Sequence, residues 1–343
     1  MNRPVLAFAM LAMLLAASVA ASEIPLRPTM RISVENTARH VQTRFVQRFA
    51  QALAAEAGDR LDVRFHADAR LYRDSDVIYA LGRGRIEMAV PGTWHVSRAV
   101  PEVGVFLLPT FYGRPPELNR RLLAGPLGLA LNERIEERLN VRIPGSWFDL
   151  GHAHLFAVGK PILRHEDIAG LRIRVAGGPA NARRIEAFGG RPAVIPWPDL
   201  PAWLDRGAVD GVLTTPATVV SARLWERGVS SVFLDRQYFP QYVPMIARPF
   251  WDRLAPDLRE TIVRIWEPLA EEQRAAAAED QEEALRTLAA HGVRLFRPAP
   301  EVLELWRKRL LPFEDSMAEE LGIHPDFHGP EFRARFVPET DRP

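Results

Sequence analysis

Cysteine is absent from the 343 residues, which removes disulfides, thiolate nucleophiles and cysteine-based zinc sites together, along with the lipid-bearing cysteine of a lipoprotein. Lysine occurs only at Lys160 and Lys308, so the 44 basic residues are nearly all arginine, and 43 acidic residues interspersed along the chain leave a net charge of +1. With no basic stripe and no acidic tail, nothing marks a nucleic-acid surface, and no nucleic-acid partner is expected. Beyond the first two dozen residues no apolar run is long enough to span a membrane. The recurring catalytic signatures are missing too: no Gly-x-Ser-x-Gly elbow, no HEXXH pair and no dinucleotide Gly-x-Gly-x-x-Gly occur. Gly177-Gly178-Pro179 resembles a phosphate turn but lacks that spacing, which leaves it at most a helix N-terminus facing some anion. His152 with His154, and His324 with His328, have metal-like spacing but no third ligand, so neither a metal nor a cofactor is expected.

At the N-terminus Arg3 precedes an apolar stretch, Val5 to Ala17, followed by the small residues Ser18-Val19-Ala20-Ala21-Ser22. This is the pattern of a secretory signal peptide over 1–21, with a mature chain starting near Ala21 to Ser22. An uncleaved anchor is the alternative, but about a dozen apolar residues is short of the roughly 20 that a span needs.

A phrase of the form Leu-x-Arg-Gly-x-(Ile/Val)-acid-x-small occurs twice, at Leu81 to Ala89 and at Leu204 to Val212. Each copy reads as a helix ending on a glycine, Gly84 or Gly207, that turns into a short apolar strand. Strand and helix patterns precede both copies: Met30 to Glu35, Thr37 to Glu56 and Leu61 to Phe65 before the first, Leu171 to Val175, Ala180 to Phe188 and Ala193 to Ile195 before the second. Two matched α/β lobes with parallel sheets, and a cleft between them, follow from that repetition. Arg120 to Asn140 reads as one helix between the two regions. Asp257 to Ala290, stopped by Gly292 and interrupted by Pro268, is a helical pattern about 50 Å long, enough to bridge both lobes.

Arg174 stands at the C-terminal end of the strand Leu171 to Val175, immediately before the glycine turn, where ligands of α/β sheets usually sit. Arg172 shares its face, so periodicity alone does not choose between them.

Taken in order, Gly170-Leu171-Arg172-Ile173-Arg174-Val175, the corner Leu204 to Gly211, Glu87 to Val90 with Pro101 to Pro109, and Phe250-Trp251-Asp252 resemble the solute-binding proteins of TRAP (tripartite ATP-independent periplasmic) transporters of the DctP type. The resemblance implies a periplasmic, monomeric receptor of two α/β lobes joined by crossing hinge segments and one long helix: lobe I over 22–150 plus about 238–275, lobe II over 151–237 plus about 276–343. It implies capture of a small organic acid and its delivery to the TRAP permease membrane subunits, with Arg174 as the carboxylate anchor. Where many members carry a second arginine this chain has His154, which suggests a pH-dependent second anchor, and where many carry asparagine it has Thr214 followed by Thr215. Trp94, Trp147 and Phe148 fall at cleft-lining positions, with core packing as the other reading; Thr93 is a further companion, and Tyr72 and Asp74 match cleft-facing positions. Two rival functions keep the fold: a sensor presenting its ligand to a membrane histidine kinase, and an exported two-lobe enzyme, for which no nucleophile stands out.

Overall fold

The computed structural model describes residues 27–337; the signal-peptide reading lies outside them. Alternation and burial shape the first strand, β1 (Thr29–Ser33), whose Met30 and Ile32 are fully buried. It pairs in parallel with β2 (Asp62–His66), Ile32 opposite Phe65. Between them the helix Val41–Ala57 buries Val41, Phe45, Phe49 and Leu53 at four-residue spacing, starts where His40 Nδ1 accepts the Gln42 amide, and stops at Gly58 with φ 53°. Next come β3 (Met88–Ala89), β4 (Val141–Arg142) and β5 (Phe148–Asp149); the following stretch carries β6 (Ala153–Val158), β7 (Arg172–Val175), β8 (Arg191–Val194), β9 (Gly211–Thr214) and β10 (Val229–Tyr238). After these the chain returns through β11 (Gln241–Tyr242) and β12 (Met245–Ala247), and ends its strands at β13 (Arg294–Phe296).

Two sheets result, in the order β2-β1-β3-β12-β4 and β13-β10-β6-β9-β7-β8, one for each lobe. They are mixed rather than purely parallel. β12 runs antiparallel to β3 and β4, and β6 runs antiparallel to β9 and β10. Each is the first strand after the chain crosses between lobes, so it enters its new sheet from the opposite direction. The crossings themselves pair as β5 with β11, a two-stranded hinge.

The duplicated corner has a structural purpose that its pattern alone does not disclose. Gly84 and Gly207 adopt φ 63° and 61°. In lobe I the corner acid Glu87 accepts the Arg31 amide (2.9 Å) and its Nε (2.8 Å), while Arg31 Nη2 donates to the Arg85 carbonyl. In lobe II Asp210 accepts the Arg172 amide (2.8 Å) and its Nε (3.0 Å), while Arg172 Nη2 donates to the Gly207 carbonyl. Each acid thus clamps the neighbouring strand, at its middle in lobe I and at its first residue in lobe II, and Arg172 is consumed by that clamp.

Helix Pro256–Ala290 runs 35 residues without a break at Pro268 and joins both lobes. Its middle turns pair with the helix Val41–Ala57 through Arg48–Glu272 (2.6 Å) and Arg44–Asp280 (3.1 Å), and its last turns bury Leu285 and Leu288 in the core of lobe II. At mid-length Gln273 holds the hinge, accepting the Asp149 amide (2.9 Å) and donating to the Asp149 carbonyl (2.7 Å). The stretch expected as one helix, Arg120 to Asn140, is two, Pro116–Leu123 and Pro126–Leu139, because Pro126 has no N–H to continue the first.

Candidate functional site

Between the lobes, at the C-terminal ends of β1, β7 and β9, lies a cavity of about 40 Å³, space for a few waters at most. Arg174 at the end of β7 reaches it from lobe II. Its side chain is 1 % exposed, and Nε donates to the Ile195 carbonyl at 3.0 Å, which fixes the plane of the guanidinium against Trp197, 5.8 Å from the ring centroid. Nη2 has no partner. Burial lowers its pKa to about 10, opposed by the charge of Asp74, so it stays cationic at neutral pH.

Asp74 comes from lobe I, in the turn before the helix Val77–Gly82. One carboxylate oxygen accepts the Trp197 amide of lobe II at 2.9 Å and stands 3.3 Å from His95 Nε2. Burial would raise its pKa, but His95, the Trp197 amide and Arg174 together hold it below the usual carboxylate range. At the rim the neighbouring Arg73 pairs with Asp199 across the lobes. A third interlobe contact joins His40 Nε2 to Thr218 Oγ1 at 3.3 Å. Thr214 and Thr215 line the cavity, and Thr215 Oγ1 caps the helix Pro216–Ser221 by accepting the Thr218 amide. Trp94 also lines it, its ring 5.4 Å from Tyr242 and its Nε1 without a partner.

Other expected residues lie elsewhere. Thr93 is buried but off the cavity wall, in the short helix Thr93–Val96 that carries Trp94 and His95. Tyr72 is half-buried against the core rather than in the cleft. Phe148 stacks on Trp266 at 4.4 Å, and Trp147 Nε1 donates to Asn132, so both aromatics belong to the hinge core. His154 is a correction with consequences. Its Nδ1 accepts the Arg236 amide at 3.0 Å, and its ring lines a separate groove behind the hinge, while Ala153 takes the cleft-facing place on β6. Burial holds its pKa well below the ordinary value, so it remains neutral and is not a pH-dependent anchor. The glycine turn does not cradle an anion either: a Cβ at Gly178 would meet the Trp94 carbonyl at 2.6 Å, and one at Gly177 the His95 ring at 2.9 Å. These glycines let lobe II close on lobe I. The paired histidines have protein partners, His152 with the Arg114 carbonyl and His328 with Asp315, and no metal-binding cluster forms among the described residues.

Several cavity residues were not foreseen: Glu35, Asn36, His95, Trp197, Tyr238 and Tyr242. Glu35 sits just past β1, the place in lobe I that corresponds to the strand end carrying Arg174 in lobe II, and that equivalence was the available signal. Trp197 and Tyr242 follow connections whose course no periodicity reveals.

The family model for DctP, described as bacterial extracellular solute-binding protein family 7, matches residues 32–321. The chain belongs to this family. DctP proteins are solute receptors of transport systems, not enzymes, and their setting is extracytoplasmic. Among curated relatives, the C4-dicarboxylate-binding periplasmic protein DctP of Rhodobacter capsulatus is 24% identical over 264 residues, 76% of this chain and 78% of that one. The 2,3-diketo-L-gulonate-binding periplasmic protein YiaO of Escherichia coli is 22% identical over 265 residues, 77% of this chain and 80% of that one. Among solved structures, the sugar acid binding protein DctPAm of Advenella mimigardefordensis in complex with galactonate superposes with a TM-score of 0.80 at 20% identity, over 86% of this chain and 94% of that one. A TRAP periplasmic solute-binding protein of Sulfurospirillum deleyianum with bound succinate gives 0.78 at 22% identity, over 86% and 97%. These superpositions extend over both lobes of the DctP fold.

Proposed function

We propose that this chain is a periplasmic receptor for a small carboxylate, bound by Arg174 between closing lobes and passed to a TRAP-type permease. The observation that carries the reading is the free Nη2 of a guanidinium 1 % exposed. Burying a cation with an unmet donor costs several kcal/mol, and a planar fork that lacks a partner matches the two oxygens of a carboxylate. Nε already spends its proton on Ile195, so the ligand meets the terminal nitrogens. The names of the relatives, which bind a C4-dicarboxylate or a sugar acid, agree with this class.

Closure supplies the rest. Asp74 with the Trp197 amide, His40 with Thr218 and the close approach of Gly178 to Trp94 join the lobes around the anchor, and water is excluded where the ion pair forms. An ion pair gains strength in that drier medium. The permease would distinguish the closed from the open receptor.

The test is a thermal-shift screen of stripped protein against mono- and dicarboxylates, sugar acids, aromatic acids and zwitterions. Ligand at 1,000 times its Kd adds about 4 kcal/mol, a rise of several degrees for a chain of this size. A rise with one acid class that disappears in Arg174→Ala supports the reading; rises indifferent to that substitution contradict it.

A further inference from the structure

The cleft that binds the carboxylate is itself acidic. Its walls hold one guanidinium, Arg174, against two carboxyl groups, Glu35 and Asp74, with His95 beside Asp74. Asp74 is engaged by the Trp197 amide, by His95 and by Arg174's field. Glu35 is engaged only in part: its own backbone amide and the Gln42 side chain reach the carboxyl, but it is 6 % exposed, it faces the cavity, and its Oε1 has no hydrogen-bond partner. A carboxyl group buried with an unmet oxygen is costly, and nothing in the packing of β1 requires one there.

We propose that the ligand carries a cationic nitrogen as well as its carboxylate, the carboxylate on Arg174 and the nitrogen against Glu35 within the ring of Trp94, Tyr242 and Trp197. The proposal rests on the carboxylate reading and narrows it. Three observations beyond the unmet oxygen support it. A second carboxylate would find no second cation, because Ala153 occupies the cleft side of β6, and it would face Glu35 and Asp74 instead. Trp94 and Tyr242 stand edge to face, 5.4 Å apart, in the same cavity as Glu35, and aromatic faces attract desolvated cations. Arg174 projects from lobe II and Glu35 from lobe I, so a ligand with opposite charges at its two ends would tie the lobes together on closing.

Burial, with Asp74's charge second, raises the Glu35 pKa to about 8, so in the closed, unliganded cleft it holds its proton at neutral pH. A cationic nitrogen favours the ionised form, and the proton leaves to solvent. A dianion pushes the other way.

Calorimetric titration of the stripped protein at pH 8 with matched pairs tests this: glycine betaine against 3,3-dimethylbutanoate, 4-aminobutanoate against pentanoate, proline against cyclopentanecarboxylate, with succinate and glutarate as dianions. In each pair that binds, the cationic member is expected to be tighter by about tenfold or more, with the dianions weakest. Glu35→Gln should bring that ratio close to one, with unliganded melting confirming that the variant folds. Neutral-tail acids or dianions that bind as tightly, while Arg174→Ala still abolishes binding, would overturn the nitrogen and leave the carboxylate receptor standing. A preference that survives in Glu35→Gln would overturn it as well. Failure of every acid, or binding indifferent to Arg174→Ala, would remove the carboxylate reading itself.

Discussion

Two hollows lie on opposite sides of β6, the first strand of lobe II, and their sizes mislead. The groove behind the hinge, bordered by Arg114, Arg236, Arg297 and the long helix, measures about 710 Å³, against about 40 Å³ for the interlobe cleft. In the groove several polar groups near the hinge are engaged: His152 Nε2 with the Arg114 carbonyl, Arg120 with Asp149 and Gln281 with the Leu150 carbonyl. In the cleft Arg174 Nη2, Glu35 Oε1 and Trp94 Nε1 are buried without partners. On the reading proposed above, the cleft combines unmet hydrogen-bonding capacity with a place between the lobes, and its small volume is that of the closed form.

The largest expected effect is at the anchor. Arg174→Ala should weaken carboxylate binding by about 2 to 5 kcal/mol, roughly 30-fold to several thousand-fold, whereas Arg236→Ala in the groove should leave affinity unchanged; titration of both variants measures the contrast. If Arg236→Ala were the damaging one, the assignment of the two hollows would be reversed.

Next is Gly178→Ala. The added methyl meets the Trp94 carbonyl at 2.6 Å, and φ 76° disfavours any residue with a Cβ. Affinity should fall about tenfold, the closed form losing 1 to 2 kcal/mol. Small-angle scattering with saturating ligand should show a less compact particle than the parent; equal compactness would mean the turn does not govern closure.

A smaller effect concerns pH. Glu35 has a folded pKa raised to about 8, so its contribution to stability is present below its ordinary value and is lost as pH rises towards 8. His40 and His165 (each about 3) and His152 (about 4) are lowered by burial, so their contribution is present above about 6.5 and lost as pH falls towards 4. Melting temperature should therefore peak between, near pH 6 to 7. Glu35→Gln should raise it by a few degrees at pH 8 and flatten the alkaline limb, without moving the acid limb. An unchanged alkaline limb would show that Glu35 is not held in the burial seen here.

Arg172→Ala should do least. Its pair with Asp210 is close to half exposed, and exposed pairs contribute about 0.2 to 1 kcal/mol. Chemical denaturation should register a shift of that size and titration no change in affinity.

Arg172 and Arg174 also show what was legible in the chain. Strand, turn and corner were readable from alternation and glycine placement, and so was the long helix, because local periodicity determines them. Which arginine enters the cleft was not, since both share a strand face; the resemblance chose Arg174, and in the structure Arg174 lines the interlobe cavity while Arg172 is held by the Asp210 clamp. His154 failed as an anchor because β10 captures its ring, a long-range contact that no local pattern encodes. Trp147 and Phe148 resolved to core packing at the hinge, Phe148 on Trp266 and Trp147 hydrogen-bonded to Asn132, the plainer of their two readings. Glu35 escaped notice because an acid just past a strand reads as an ordinary solvated end until the other lobe is brought over it.

A crystal structure of the stripped protein soaked with its tightest-binding acid tests the central claim most directly. The account predicts closed lobes with a carboxylate oxygen about 3 Å from Arg174 Nη2. Ligand density in the groove behind the hinge, with Arg174 untouched, would contradict it.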